Sequence, residues 1–212
     1  MTTFLKLKQL VEAYRGKDTS GTTDAVRDTI INSCRREVYN RYPFRWAKAT
    51  ETLTLSSKES DIDNNFNAVF GISYAYDENS NVYTQISPEE ALSYTADDDY
   101  VFYTSYNTDT GLYKLTTPST CTTLYITYYV LPDDLSEDTD VDLCPDPEAI
   151  ALGAVAKLWM SKERDETNHD RYLALSNARI LDLIANDKKW AEKKRAKSLG
   201  ERYDTGYSLT KN

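Results

Sequence analysis

The chain has 212 residues, 40% hydrophobic and 12% aromatic, enough to bury roughly 70% of its unfolded surface in one substantial core or two small ones. Seven glycines and six prolines exclude collagen-like or low-complexity material, no run reaches the ~20 apolar residues of a membrane helix, and the opening MTTFLKLKQLVEAYRG has no apolar signal segment. Synthesis in the cytoplasm follows as an expectation. The net charge of −9 is unevenly laid out, with +5 over residues 1–50, −18 over 51–148 and +4 over 149–212, and an acid block of that size excludes a free-standing binder of DNA.

Thr2 or Thr3 can cap a first helix in which Phe4, Leu7, Val11 and Tyr14 recur every three to four positions, with Gly16 past its end. After the linker KDTSGTT, Thr22 or Thr23 opens a second helix carrying Val26, Ile30, Cys34, Val38 and Tyr42 at four-residue steps, and Pro43 stops it. The period then falls to two. Leu53 and Leu55 alternate with threonines, and NAVFGISYAY sets Ala68, Phe70, Ile72, Tyr74 and Tyr76 on one strand face. DENSN reads as a hairpin turn, NVYTQIS as the returning strand and PEEALSY as a helical turn opened by Pro88. YVFYTSY, the turn NTDTG, LYKLT and TLYITYYV complete a meander of about six strands.

LPDDLSEDTDVDLCPDPE, acidic and rich in proline, reads as an exposed connection. At its end Asp146 at the N-cap, Pro147 at the first helical position and Glu148 in the first turn mark a helix start by three separate criteria. EAIALGAVAKLWMSK is rich in small residues, which lets a neighbouring helix approach. A last helix begins near Thr167 or Asn168, aligns Leu173, Ser176, Ile180 and Leu183 or Ile184, turns basic through KKWAEKKRAK and closes at Gly200.

The expected fold class is α+β: a helical bundle built from both chain ends, an inserted antiparallel β-sheet or sandwich domain, and an extended C-terminal tail. The expected divisions are 1–48 and 148–198 for the helices, 49–132 for the β domain, 133–147 for an acidic linker and 199–212 for the tail. Tyr42, Phe44 and Trp46 crowd the corner where helix gives way to strand and, with Trp159, are the candidates for module or subunit packing.

Chemistry is sparse. The single histidine, His169, has no nucleophile motif or metal cluster beside it. DIDNNF and DTDVDL fail calcium-loop spacing, since Phe66 and Leu143 stand where glycine is required and Ile72 and Ala149 where a bidentate glutamate is required. The cysteines (Cys34, Cys121, Cys144) are odd in number and widely spaced, and read as free thiols. No phosphate-loop, dinucleotide, nucleophile-elbow or zinc-protease motif occurs, so the expectation is no catalytic residue, no metal and no cofactor.

INSCRREVYNRYPF running into RWAKATETLTL, the strand and exit TLYITYYVLPDDL, and PDPEAIALGAVAKLWMSKERDE after the acidic spacer resemble the head-to-tail adaptor (connector) proteins of tailed bacteriophages, including those called tail tubular protein A. The resemblance spans nearly the whole chain. It implies a structural virion protein of the neck, assembled as a ring of about twelve copies beneath the portal. Its partners would be further copies of itself, the portal protein and the next tail or nozzle protein, with double-stranded DNA passing through without specific binding and no membrane involved. ERYDTGYSLTKN would dock into the portal, with Arg202, Tyr203, Tyr207 and Leu209 as the portal-binding residues. A rival from another class is a tyrosine-rich β carbohydrate-binding module. Seventeen tyrosines favour it, but they are spread along every strand and the flanking helices go unexplained.

Overall fold

The computed structural model describes residues 1–15, 23–94 and 99–204. Over these the protein is a mixed α and β fold with helices α1 (Phe4–Arg15), α2 (Asp24–Tyr39), α3 (Pro147–Glu163) and α4 (Glu166–Asp204). The strands are β1 (Thr2–Thr3), β2 (Lys48–Thr54), β3 (Glu59–Asp61), β4 (Ile72–Asp77), β5 (Thr84–Gln85), β6 (Val101–Asn107), β7 (Leu112–Thr116), β8 (Thr123–Tyr129) and β9 (Val141–Asp142). Two compact units emerge, one of Met1–Cys34 with Ser136–Asn212 and one of Arg35–Leu135.

In the first unit α3 is the central element. Every residue from Ala149 to Ala156 is buried, because the sequence there is apolar on all sides and has no face to give to water. Asp146 caps it, its carboxylate accepting from Glu148 N at 3.1 Å, with Pro147 supplying the fixed φ of the first turn. It ends at Arg164, which takes the left-handed conformation at φ 51°. Helix α4 returns antiparallel: Ser176 Oγ donates to Ala149 O at 2.7 Å and Arg179 reaches Glu148. Tyr172 Oη donates to Tyr14 O at 2.9 Å, tying α4 to α1, and Lys157 Nζ donates to Ser33 Oγ at 3.0 Å, tying α3 to α2.

Thr3 Oγ1 accepts from Lys6 N, so of the two candidates Thr3 is the residue that caps α1. Thr2 and Thr3 also pair antiparallel with Asp142 and Val141, and Phe4 N donates to Asp140 O at 2.8 Å. The acidic connection is therefore held down, not simply exposed: Leu135, Asp142 and Cys144 are buried. Asp140 folds the segment on itself by accepting from Ser136 N and Glu137 N.

The second unit holds two sheets. β2, β8 and β4 form an antiparallel sheet with β8 central, while β3, β7, β6 and β5 form another in which β5 runs parallel to β6. Alternation along β8 sends Leu124, Ile126 and Tyr128 inward, where they meet Leu53 and Ala75 and, from the other sheet, Phe102 and Leu115, in one shared core. At roughly 1.5–3 kcal/mol for each large apolar side chain, this burial is the main favourable term for the unit.

Several expectations change. The returning strand NVYTQIS does not pair along β4: beyond a bridge of Tyr76 with Val82 the chain crosses to the other sheet as β5, so the simple meander is replaced by crossed connections. Ala68 and Phe70 lie in a turn, and a register shift between Ile72 and Tyr74 turns Ile72 toward the core while Tyr74 and Tyr76 face outward. Helix α2 ends at Tyr39, before Tyr42, and its buried stripe is Ile31, Cys34 and Val38, with Val26 exposed. Leu173 is likewise exposed on α4, whose buried residues among those described are Ser176, Ile180, Leu183 and Asp187. Gly200 does not close α4, which runs on to Asp204.

Candidate functional site

The corner Tyr39–Trp46 is built by chain geometry. Once α2 ends, Pro43 sits at the centre of a tight turn in which Phe44 N donates to Tyr42 O at 2.8 Å, and the 3-10 turn Arg45–Ala47 feeds directly into β2. That path stacks Phe44 on Trp46 at 4.8 Å, sets Tyr39 edge-on to Trp46 at 4.8 Å and brings Tyr42 edge-on to Phe44 at 5.2 Å. Phe44 and Tyr39 are buried, while Tyr42 and Trp46 are half-buried. The sequence-predicted trio of Tyr42, Phe44 and Trp46 is thus brought together inside the second unit. Trp159 belongs to the first unit, half-buried on α3, and its buried Nε1 has no hydrogen-bond partner among the described residues.

The predicted docking tail meets the fold differently. Arg202 and Tyr203 fall within α4, which at 39 residues is about 58 Å long against about 25 Å for the 17 residues of α3. Tyr207 and Leu209 lie outside the described residues. Arg179 stands level with the first turn of α3 through its pairs with Asp146 and Glu148, so the remainder of α4 continues past the α3 N-terminus. On that continuation Leu181 is 65% exposed, and Lys189 and Lys193, one turn apart, make no ion pair among the described residues.

The groups that could carry chemistry are used structurally. His169 Nδ1 lies 3.0 Å from Ala156 O, a contact that bridges the two helices of the hairpin. Asn65, in the rejected calcium loop, accepts from Tyr128 Oη at 2.9 Å, and burial pushes the Tyr128 phenol up to about 12. No group of three or more metal-ligating side chains occurs among the described residues. Cys34, Cys121 and Cys144 form no disulfide, and none of the described helices is long and apolar enough to cross a membrane.

One knot of polar groups was not legible beforehand. Asp77 is buried, which by itself would raise its pKa, but donors from Asn81 (side chain and main chain), Asn79 and Tyr83 outweigh this and hold the carboxyl below its ordinary value. The Tyr83 hydroxyl also lies 2.8 Å from Ser119 Oγ, so the turn after β4 and the β7–β8 connection are joined through this phenol. The signal present in the sequence, an Asp with asparagines two and four residues on, also reads as an ordinary turn.

Surfaces for packing are what this arrangement offers. The family model of the SU10 adaptor protein matches residues 2–198. The chain belongs to the SU10 adaptor protein family. Among curated proteins none matches. As a member of this family the protein is a phage adaptor, a class whose role is structural and whose members are virion components. The polar groups described above accordingly hold this adaptor's fold together: they cap helices, pin turns and close the hairpin of α3 and α4.

Proposed function

We propose that this adaptor forms a ring under the portal, links the capsid to the tail and lines the channel through which DNA leaves. The observation that carries the reading is the family match across residues 2–198, which takes in both compact units. The narrower likeness to the tail tubular protein A proteins, a ring of about twelve copies and a position in the neck are parts of the same proposal, since closed cyclic symmetry is how identical chains make a finite annulus. Partners on this reading are further copies of the chain, the portal protein and the next tail or nozzle protein.

Two features support it. The length of α4 beyond α3, with Leu181 and Trp190 exposed on it, gives a neighbouring subunit apolar surface to cover. The acid block, facing a channel, repels phosphates and lets duplex DNA slide without adhering. Docking on the portal is assigned to the C-terminal segment that includes Arg202, Tyr203, Tyr207 and Leu209, and packing between subunits or modules to Tyr42, Phe44, Trp46 and Trp159. The test is to mix portal rings with the full chain and with a chain ending at Gly200. The full chain should co-sediment and the shortened one should not, whereas equal binding by both would overturn the docking assignment.

A further inference from the structure

The outer face of the β2–β8–β4 sheet is unusual for a chain with 28% charged residues. Register places Thr50, Thr127 and Tyr74 in one cross-strand row and Thr52, Tyr125 and Tyr76 in the next. Neighbouring strands lie about 4.8 Å apart and alternate residues about 7 Å, so the six side chains make a grid of roughly 10 by 7 Å. A groove of about 240 Å³ runs over this grid, lined by Thr50, Thr52, Tyr76, Tyr125 and Thr127, with Glu51 and Ile126 facing the other side of the sheet by strand alternation.

Each of the six side chains ends in a hydroxyl, and none of those hydroxyls has a hydrogen-bond partner among the described residues. The inward tyrosines differ, since the Tyr83 hydroxyl is within hydrogen-bond distance of Ser119 and Tyr128 donates to Asn65. Tyr76 and Tyr125 stack with centroids 5.0 Å apart and planes at 20°, and Tyr74, 48% exposed, leans on Tyr76 at 41°. The six-residue grid is therefore aromatic, rich in donors and acceptors, and itself without charge, with Lys48 in the next row of the same face held over the Tyr129 ring at 4.6 Å.

We propose that this groove is a binding site for a neutral saccharide. The C–H face of a pyranose packs on the electron-rich face of a phenol ring, while its hydroxyls are met by groups that both donate and accept. The occupant is argued from charge: the six grid side chains offer no cation to a phosphate, sulfate or carboxylate and no anion to an amine, while Lys48 in the next row is held by the Tyr129 ring and the Glu51 carboxylate by Asp63 N, so the grid suits an uncharged polyhydroxyl ligand. The grid is sized for one or two sugar rings. The objection that the tyrosines are dispersed along the sequence does not hold in the fold, where strand pairing gathers three of them on one face.

The test uses the intact chain and a defined set of probes: maltose, cellobiose and N,N′-diacetylchitobiose as neutral sugars, and glucuronic acid as the charged control. Saturation-transfer NMR should show at least one neutral probe bound at about 10 mM or below, and glucuronic acid not. Tyr74→Ala, and separately Thr50→Val with Thr52→Val, should each weaken that binding at least about fivefold while the unfolding midpoint stays unchanged, since all three side chains are exposed. If no neutral probe binds, if glucuronic acid binds as well, or if binding survives both variants, the proposal is wrong. If the face proves to be covered by a second copy, shown by self-association that Tyr74→Ala abolishes, it is also wrong.

Discussion

Asp77 is 3% exposed and still held below the ordinary carboxylate value of 3.8, because the donors from Asn79, Asn81 and Tyr83 favour its charged form more than burial penalises it. A carboxyl whose folded pKa is depressed stabilises the fold above the unfolded pKa, and that contribution is lost as pH falls through the folded value. Urea unfolding should therefore show falling stability on acidification below about pH 4. Asp77→Asn should remove part of that slope and cost about 2 kcal/mol at neutral pH. Gly153 supplies a second test, because a Cβ there would sit 3.2 Å from Ser176 Oγ and 3.6 Å from Cys34 Sγ. The Ser176 hydroxyl is committed to Ala149 O and has little freedom to move. Gly153→Val should cost about 3 kcal/mol in the same assay; wild-type stability would mean that α2, α3 and α4 do not converge at this position.

Among the elements, α3 is the one most completely written in local sequence. Asp146, Pro147 and Glu148 each fix its start, and Asp146→Ala should lower stability by about 1 kcal/mol, measured as a shift in the urea midpoint. α1 was equally legible, since Phe4, Leu7 and Val11 repeat at helical spacing and all become buried. The strands of the second unit were legible as strands but not in their pairing. A period of two states which residues share a face, yet one register shift near Ser73 reverses that assignment, and no residue type announces it. The parallel partnership of β5 with β6 was hidden for a related reason: Thr84 and Gln85 make a two-residue strand, and a hairpin back onto β4 is the cheaper reading of the same letters. Of the candidate site, the aromatic corner was visible because Tyr42, Phe44 and Trp46 are neighbours in sequence. The Tyr74, Tyr76 and Tyr125 grid depends on residues about 50 positions apart and could emerge only from the fold.

At the scale of the whole molecule, charge distribution matters more than its sum. The residues 51–148 carry −18 and the ends are mildly basic, so a ring of such chains could present acid to its channel while the basic ends take part in contacts. Purified protein should accordingly fail to retain duplex DNA at physiological salt, judged by filter binding, and submicromolar retention would contradict a channel wall that DNA slides past. The central claim, that copies of this chain close into a ring on a portal, is tested most directly by electron microscopy of the purified protein mixed with portal rings. The expected result is one annular layer of about twelve subunits stacked coaxially on the portal. Portal rings left bare beside isolated single chains, at concentrations well above those of assembly, would contradict it.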